Sequence, residues 1–161
     1  MAFSKTLLDY FLARVDEIPD KKAILERRDD RWIPYTWREW NERSRAIAAS
    51  LMGDGVEVGQ NVAIFSYSRR QWVESDIAIL MAGARTVTIY QSLGKETVDY
   101  ILEDSSATVL FLEGPIQIRA LRGDDGKAPI SDKIRRIVYF TDTQTPMARP
   151  GSSSWPATPP C

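Results

Sequence analysis

The chain has 161 residues and no histidine, which removes imidazole bases, histidine metal ligands and Ser-His-Asp catalysis together. Its single cysteine, Cys161, is the last residue, so neither an intrachain disulfide nor a cysteine-cluster zinc site can form. That usage points to a reducing, cytoplasmic setting. Long hydrophobic runs are missing too: the longest, Ile77 to Ala84, is far short of the ~18 residues that cross a bilayer. The apolar stretch near the N-terminus is broken by Asp9 and Arg14 and lacks a small-residue cleavage site, so it reads as mature protein. Neither sign of charge is in excess. Lys plus Arg is 21 and Asp plus Glu is 22, a net charge of −1 that offers no field for nucleic acid or an anionic membrane surface. Peripheral membrane association through local contacts is not excluded. What the chain does have is 43% apolar and 10% aromatic residues, enough for a core in about one domain's length.

Periodicity organises most of that length. Leu7, Leu8, Phe11, Leu12 and Val15 recur at helical spacing up to Pro19, predicting an amphipathic helix over 5–17. Lys22 to Glu26 and Trp32 to Tyr35 flank a charged stretch, Arg27 to Arg31, and predict a hairpin with a solvated turn. Thr36 and Glu39 form a capping box, opening a helix with Trp37, Trp40, Ile47, Ala48, Leu51 and Met52 on one apolar stripe. Gly53 and Gly55 stop it. Asn61 to Ser66 then reads as a strand, and Ser68 as the cap of a helix running to Gly83 that is covered on both sides. A strand at Thr86 to Tyr90, a helix at Lys95 to Asp104 and a strand at Thr108 to Leu112 follow. Pro115 to Leu121 carries no clear pattern, Gly123 to Pro129 is a loop, and Ile134 to Phe140 is one more strand. Alternating strands and helices with short connections predict parallel pairing through right-handed crossovers. The expected fold class is α/β, an incomplete doubly wound, mostly parallel sheet with flanking helices, preceded by an N-terminal helix and β-hairpin. From about Thr141 the pattern stops: prolines 146, 150, 156, 159 and 160 and a Ser152 to Ser154 run predict a disordered Pro/Ser-rich tail over 141–161.

Reactive constellations are scarce. Gly53, Gly55 and Gly59 lie after a helix and before a strand, the reverse of what a dinucleotide loop needs, and act as cap and turn. Gly94-Lys95-Glu96-Thr97 superficially resembles the end of a phosphate loop, but Ile89 stands where the first glycine belongs, leaving a plain helix start. Ser92 lies in no GxSxG elbow and has no histidine partner. The pairs Asp29-Asp30, Glu103-Asp104 and Asp124-Asp125 sit in or beside turns and read as solvated surface, not a cation site. Trp37, Trp40 and Trp72 fall on apolar helical faces and are expected in the core. Catalytic, cofactor-binding and metal-ligating residues are therefore all expected to be absent from this chain.

Four blocks in order give the sequence a resemblance. Tyr35-Thr36-Trp37-Arg38-Glu39-Trp40 resembles the first core motif of AMP-forming adenylating enzymes, and Leu80 to Tyr90, LMAGARTVTIY, resembles the second. Gly55 to Ser66 is similar to the family's helix-to-strand passage, and Val98 to Phe111 to the long-chain fatty-acid–CoA ligase (acyl-CoA synthetase) branch. Coverage runs from about residue 5 to 140, so residues 1–140 are expected to be part of the large N-terminal AMP-binding domain of the adenylate-forming fold. Ser68 and Thr88 depart from the asparagine and proline common there, though each keeps a cap or strand role.

The resemblance implies a reaction: fatty acid attacks ATP to give acyl-adenylate and diphosphate, and the CoA thiol then displaces AMP. It also implies that Mg²⁺, ATP, fatty acid and CoA are handled by loops further along in complete enzymes. The Gly/Ser/Thr-rich phosphate loop, the adenine motif, the ribose-binding aspartate and the C-terminal-domain lysine have no counterpart here. Such catalysis depends on donors fixed where charge develops on phosphate, and each one lost costs ~3 kcal/mol. The chain alone is expected to be inactive, a truncated N-terminal fragment, natural or with its last residues read in a shifted frame. Two other readings are an unrelated flavodoxin-like binding or signalling module, and an inactive scaffold that pairs with a homologue or a second copy through its unfinished sheet edge.

Overall fold

The computed structural model describes residues 5–123 and 128–140. Helix α1 (Leu7–Glu17) starts from a capping box in which Thr6 and Asp9 satisfy each other's backbone N–H groups. Strands β1 (Lys22–Arg28) and β2 (Arg31–Thr36) pair antiparallel, with Leu25 opposite Pro34 and Arg27 opposite Trp32. The hairpin is longer than expected. Arg27, Arg28 and Arg31 belong to the ladder, and the turn shrinks to Asp29-Asp30, with Asp29 in the left-handed region at φ 52°. Short polar side chains tolerate that conformation, which lets the strands close tightly.

Helix α2 (Trp37–Gly53) opens on the expected box: Glu39 N–H donates to Thr36 Oγ1 at 3.2 Å, and Thr36 N–H to Glu39 Oε2 at 2.7 Å. Its stripe differs at one end. Ser44, Ala48 and Leu51 are buried, with Ser44 Oγ donating to the Glu74 carbonyl of the next helix at 2.9 Å, but Met52 is 53% exposed. Strand β3 (Asn61–Phe65) leads to helix α3 (Arg70–Met81), β4 (Arg85–Ile89), helix α4 (Lys95–Ser105) and β5 (Val109–Leu112). The N-cap of α3 is Arg69, not Ser68, and no side chain caps it. Tyr90 lies outside its strand and is exposed. The patternless stretch forms helix α5 (Pro115–Arg122), where proline at the first turn costs no hydrogen bond. Strand β6 (Arg136–Tyr139) completes the described residues.

The sheet order is β4-β3-β5-β6, every pair parallel. Alternate residues of each strand face opposite layers. Val62, Ile64, Val109 and Phe111 pack under α2 and α3 with Leu51 and Ile79. Ala63, Phe65, Leu110 and Leu112 pack under α4 and α5 with Val98, Leu102 and Leu121. Buried on both sides, β3 and β5 have no exposed position from Val62 to Phe65 or from Val109 to Leu112. The doubly wound reading holds, and no helix among the described residues is long and apolar enough to cross a membrane. The tail over 141–161 and the pair Asp124-Asp125 lie outside the described residues.

Candidate functional site

From β3 the chain leaves through α3 on one face of the sheet, and from β5 it leaves through α5 on the other. Between these neighbouring strands the connections diverge. Their carboxyl ends therefore form the crevice where open α/β sheets place ligands. Three segments meet there: Ser66-Tyr67-Ser68 after β3, Glu113-Gly114 after β5, and Tyr139-Phe140 at the end of β6. The β1–β2 hairpin forms the opposite wall, and the open cleft between them measures about 2050 Å³.

Glu113 fixes the floor. Its Oε2 accepts the Tyr67 N–H at 2.8 Å and lies 3.2 Å from Ser66 Oγ, while Oε1 pairs with Arg69 at 3.3 Å. The turn after β3 is thus tied to the end of β5 by one carboxylate. Arg69 also donates to Gln71 Oε1 at 3.0 Å, and its guanidinium lies 6.0 Å from the centre of the Phe140 ring.

Behind this floor a charge cluster joins the hairpin to α3. Arg70 Nη1 donates to both carboxylate oxygens of Glu74, at 2.6 and 2.7 Å, and Arg70 Nε reaches Glu26 of β1 at 3.4 Å. Glu26 also accepts from Arg28 at 2.9 Å and from the Tyr35 hydroxyl at 3.1 Å. The Arg70 guanidinium stacks 4.6 Å from the Tyr35 ring centre, with Arg43 at 5.6 Å from the same ring. Side chains 70 and 74 are only 7% and 4% exposed, which makes this a buried ion pair whose desolvation rivals its attraction. Burial pushes the Glu74 carboxyl up, against the hydrogen bonds and charge of Arg70. Burial also works to raise Glu26, but the bonds from Arg28 and Tyr35 and the nearby guanidiniums outweigh it and hold that carboxyl below its ordinary value. Burial works to lower Arg70, yet Glu74 prevails and holds it above its ordinary value.

Glu26, Glu74 and Glu113 pair with Arg28, Arg70 and Arg69, and among the described residues no three acidic, cysteine or histidine residues gather to hold a metal ion. The described residues thus offer no carboxylate cluster for the Mg²⁺ that the resemblance implies. The glycine turn at 53, 55 and 59 lies before β3, at the opposite end of the sheet; Gly55 and Gly59 have φ near 80°. Gly94 is the N-cap of α4 and Lys95 pairs with Asp99 at 2.6 Å, so that segment is a helix start. Ser92 lies exposed in the turn after β4. Asp29-Asp30 is an exposed turn, while Glu103 accepts from Ser131 and pairs with Lys133 at 3.1 Å. Trp37 and Trp40 are half-buried, stacked 5.5 Å apart with Phe11 beneath α1, and Trp72 packs beside the α2–α3 layer. The cluster of Arg70, Glu74 and Glu26 was not singled out from sequence. Its one legible trace is the Arg70–Glu74 spacing of four residues on an amphipathic helix.

Comparison with known proteins extends these observations. A family model described as AMP-binding enzyme matches residues 11–159. The chain is 37% identical over 119 residues to long-chain-fatty-acid–CoA ligase FadD15 of Mycobacterium bovis, covering 74% of this chain and 20% of that protein. It is 29% identical over 155 residues to long chain acyl-CoA synthetase 1 of Arabidopsis thaliana, covering 91% of this chain and 23% of that one. Among solved structures, the N-terminal domain of FACL13 from Mycobacterium tuberculosis superposes with a TM-score of 0.76 at 19% identity, over 85% of this chain and 34% of that one. The chain thus spans about a fifth of the length of the curated relatives it matches.

Proposed function

Because this chain belongs to the AMP-binding enzyme family, we propose that it is the leading portion of a long-chain fatty-acid–CoA ligase. In that role it would supply the first parallel sheet of an adenylate-forming domain, with residues 1–140 as the folded part. The observation that carries this reading is the 37% identity over 119 residues with a long-chain-fatty-acid–CoA ligase. The complete reaction would join fatty acid to CoA through an acyl-adenylate, with ATP split to AMP and diphosphate. A reducing, cytoplasmic compartment belongs to the same proposal.

The residues described here would bear on that reaction by holding geometry. Glu113 fixes the turn after β3, and the Arg70 cluster sets the hairpin against α3, so the two walls of the crevice stand at a defined separation. Preorganised walls matter because a misplacement of about 1 Å in a reacting group can cost 10²-fold in rate. An unrelated flavodoxin-like module is not favoured by the family match. The test is a chimaera in which residues 11–140 replace the matching stretch of the Mycobacterium bovis ligase. Retained acyl-CoA synthesis with fatty acids supports the reading; a soluble, folded chimaera without any activity counts against it.

A further inference from the structure

Most of what a domain of this fold contains lies outside this segment: the chain matches 34% of the FACL13 N-terminal domain and 20% of the Mycobacterium bovis ligase. A segment of a domain shares one core with the rest, so it must keep an apolar face open for that portion. Both faces of the sheet are already covered, by α2 and α3 on one side and by α4 and α5 on the other. The crevice at the strand ends is not. Leu25 of the hairpin, Tyr67 after β3, Ile116 in the first turn of α5 and Tyr139 of β6 all line it, and each is at least 47% exposed. At about 2050 Å³ it has roughly twice the volume of the largest usual small-molecule sites, ~1,000 Å³. The chain also leaves from there: Phe140, which follows β6, forms part of the wall.

We propose that the crevice is a docking face for protein, and that its occupant is the portion of a long-chain fatty-acid–CoA ligase that follows this segment, bound in trans when supplied as a separate chain. The inference rests on the ligase reading above and names its partner. Apolar side chains drawn from four places in the chain are covered together by one continuous protein surface, whereas a small ligand leaves most of them wet. Burying Ile116 alone takes a large apolar side chain out of water, worth about tenfold or more in binding. Ile116 is also a position where the fold accepts a charge. It is exposed and lies in the first turn of α5, where an acidic side chain meets the positive end of the helix dipole.

The test co-expresses the full 161-residue chain with the Mycobacterium bovis ligase shortened by its own matching stretch and tagged for affinity purification. The shortened ligase should retain the chain. Ile116→Asp should cut retention at least about tenfold, and Met52→Asp, exposed on α2 and outside the crevice, should leave it unchanged. Because the shortened ligase can misfold alone, its soluble yield is a second readout, and the chain should raise it. Four results would overturn the proposal: no retention together with no gain in soluble yield, undiminished retention of Ile116→Asp, retention only after residues 141–161 are removed, which gives the crevice to that segment, or self-association abolished by Ile116→Asp, which gives it to a second copy. An active chimaera beside a trans pair that never forms would reject the docking face and leave the ligase reading standing; failure of both rejects that reading with it.

Discussion

Glu74 and Arg70 show how one side chain's burial decides the cost of losing its partner. Removing one member of a buried pair leaves an uncompensated charge, so Arg70→Met should destabilise the chain by about 3–5 kcal/mol in urea unfolding. The double variant Arg70→Met, Glu74→Leu should recover most of that loss. A single variant as stable as wild type would show the pair to be hydrated. The pH dependence separates the two carboxylates. Glu26, held below its ordinary 4.5, contributes stability above that value that is lost as pH falls through its folded pKa. Glu74, held above 4.5, contributes stability at low pH that is lost as pH rises through its folded pKa. Glu26→Gln should therefore flatten the acid limb of a stability–pH curve, while Glu74→Gln should remove the decline on its higher-pH side. These partners were not legible in sequence: Glu26 and Arg70 are 44 residues apart, and only the folded hairpin brings them together.

At the scale of elements, most of the order was written in period and caps. Thr36 and Glu39 predicted the start of α2, and the bonds at 3.2 and 2.7 Å are those of the motif. Thr36→Ala should cost about 1 kcal/mol. Gly83, after α3, has φ 74°, and a Cβ there would meet Val58 at 3.0 Å. Gly55 has φ 80° but open space around the same position. Alanine should destabilise at both, by about 1–2 kcal/mol from backbone strain alone, and more at Gly83. Equal losses in thermal unfolding would mean that the Val58 contact relaxes freely. What sequence concealed had physical causes. Helix α5 has only 8 residues, about two turns, too few repeats of its apolar face for period to declare it, although Leu121 is packed into the core. The start of α3 hid because its N-cap, Arg69, is held by Glu113 from another strand rather than by a local capping oxygen.

Across the whole molecule, the strand order put β3 beside β5 and so created the crevice, a feature that exists only when all four strands are assembled. The carboxyl ends at Ser66-Tyr67-Ser68 and Glu113 were readable; that one carboxylate would lock them together was not. Among the described residues the sheet's outer strands are β4 and β6, and Tyr139 on β6 is 47% exposed. Unprotected edges pair with other chains. Size-exclusion chromatography of the 161-residue chain should show association that grows with concentration and weakens in Tyr139→Lys. A monomer at every concentration would mean that these edges are covered. The central claim is that residues 1–161 carry the framework of an adenylate-forming domain and not its reactive loops. It is met most directly by fatty-acid-dependent ATP–diphosphate exchange with the purified chain. The account predicts no exchange above a protein-free control; measurable exchange that depends on both fatty acid and protein would contradict it.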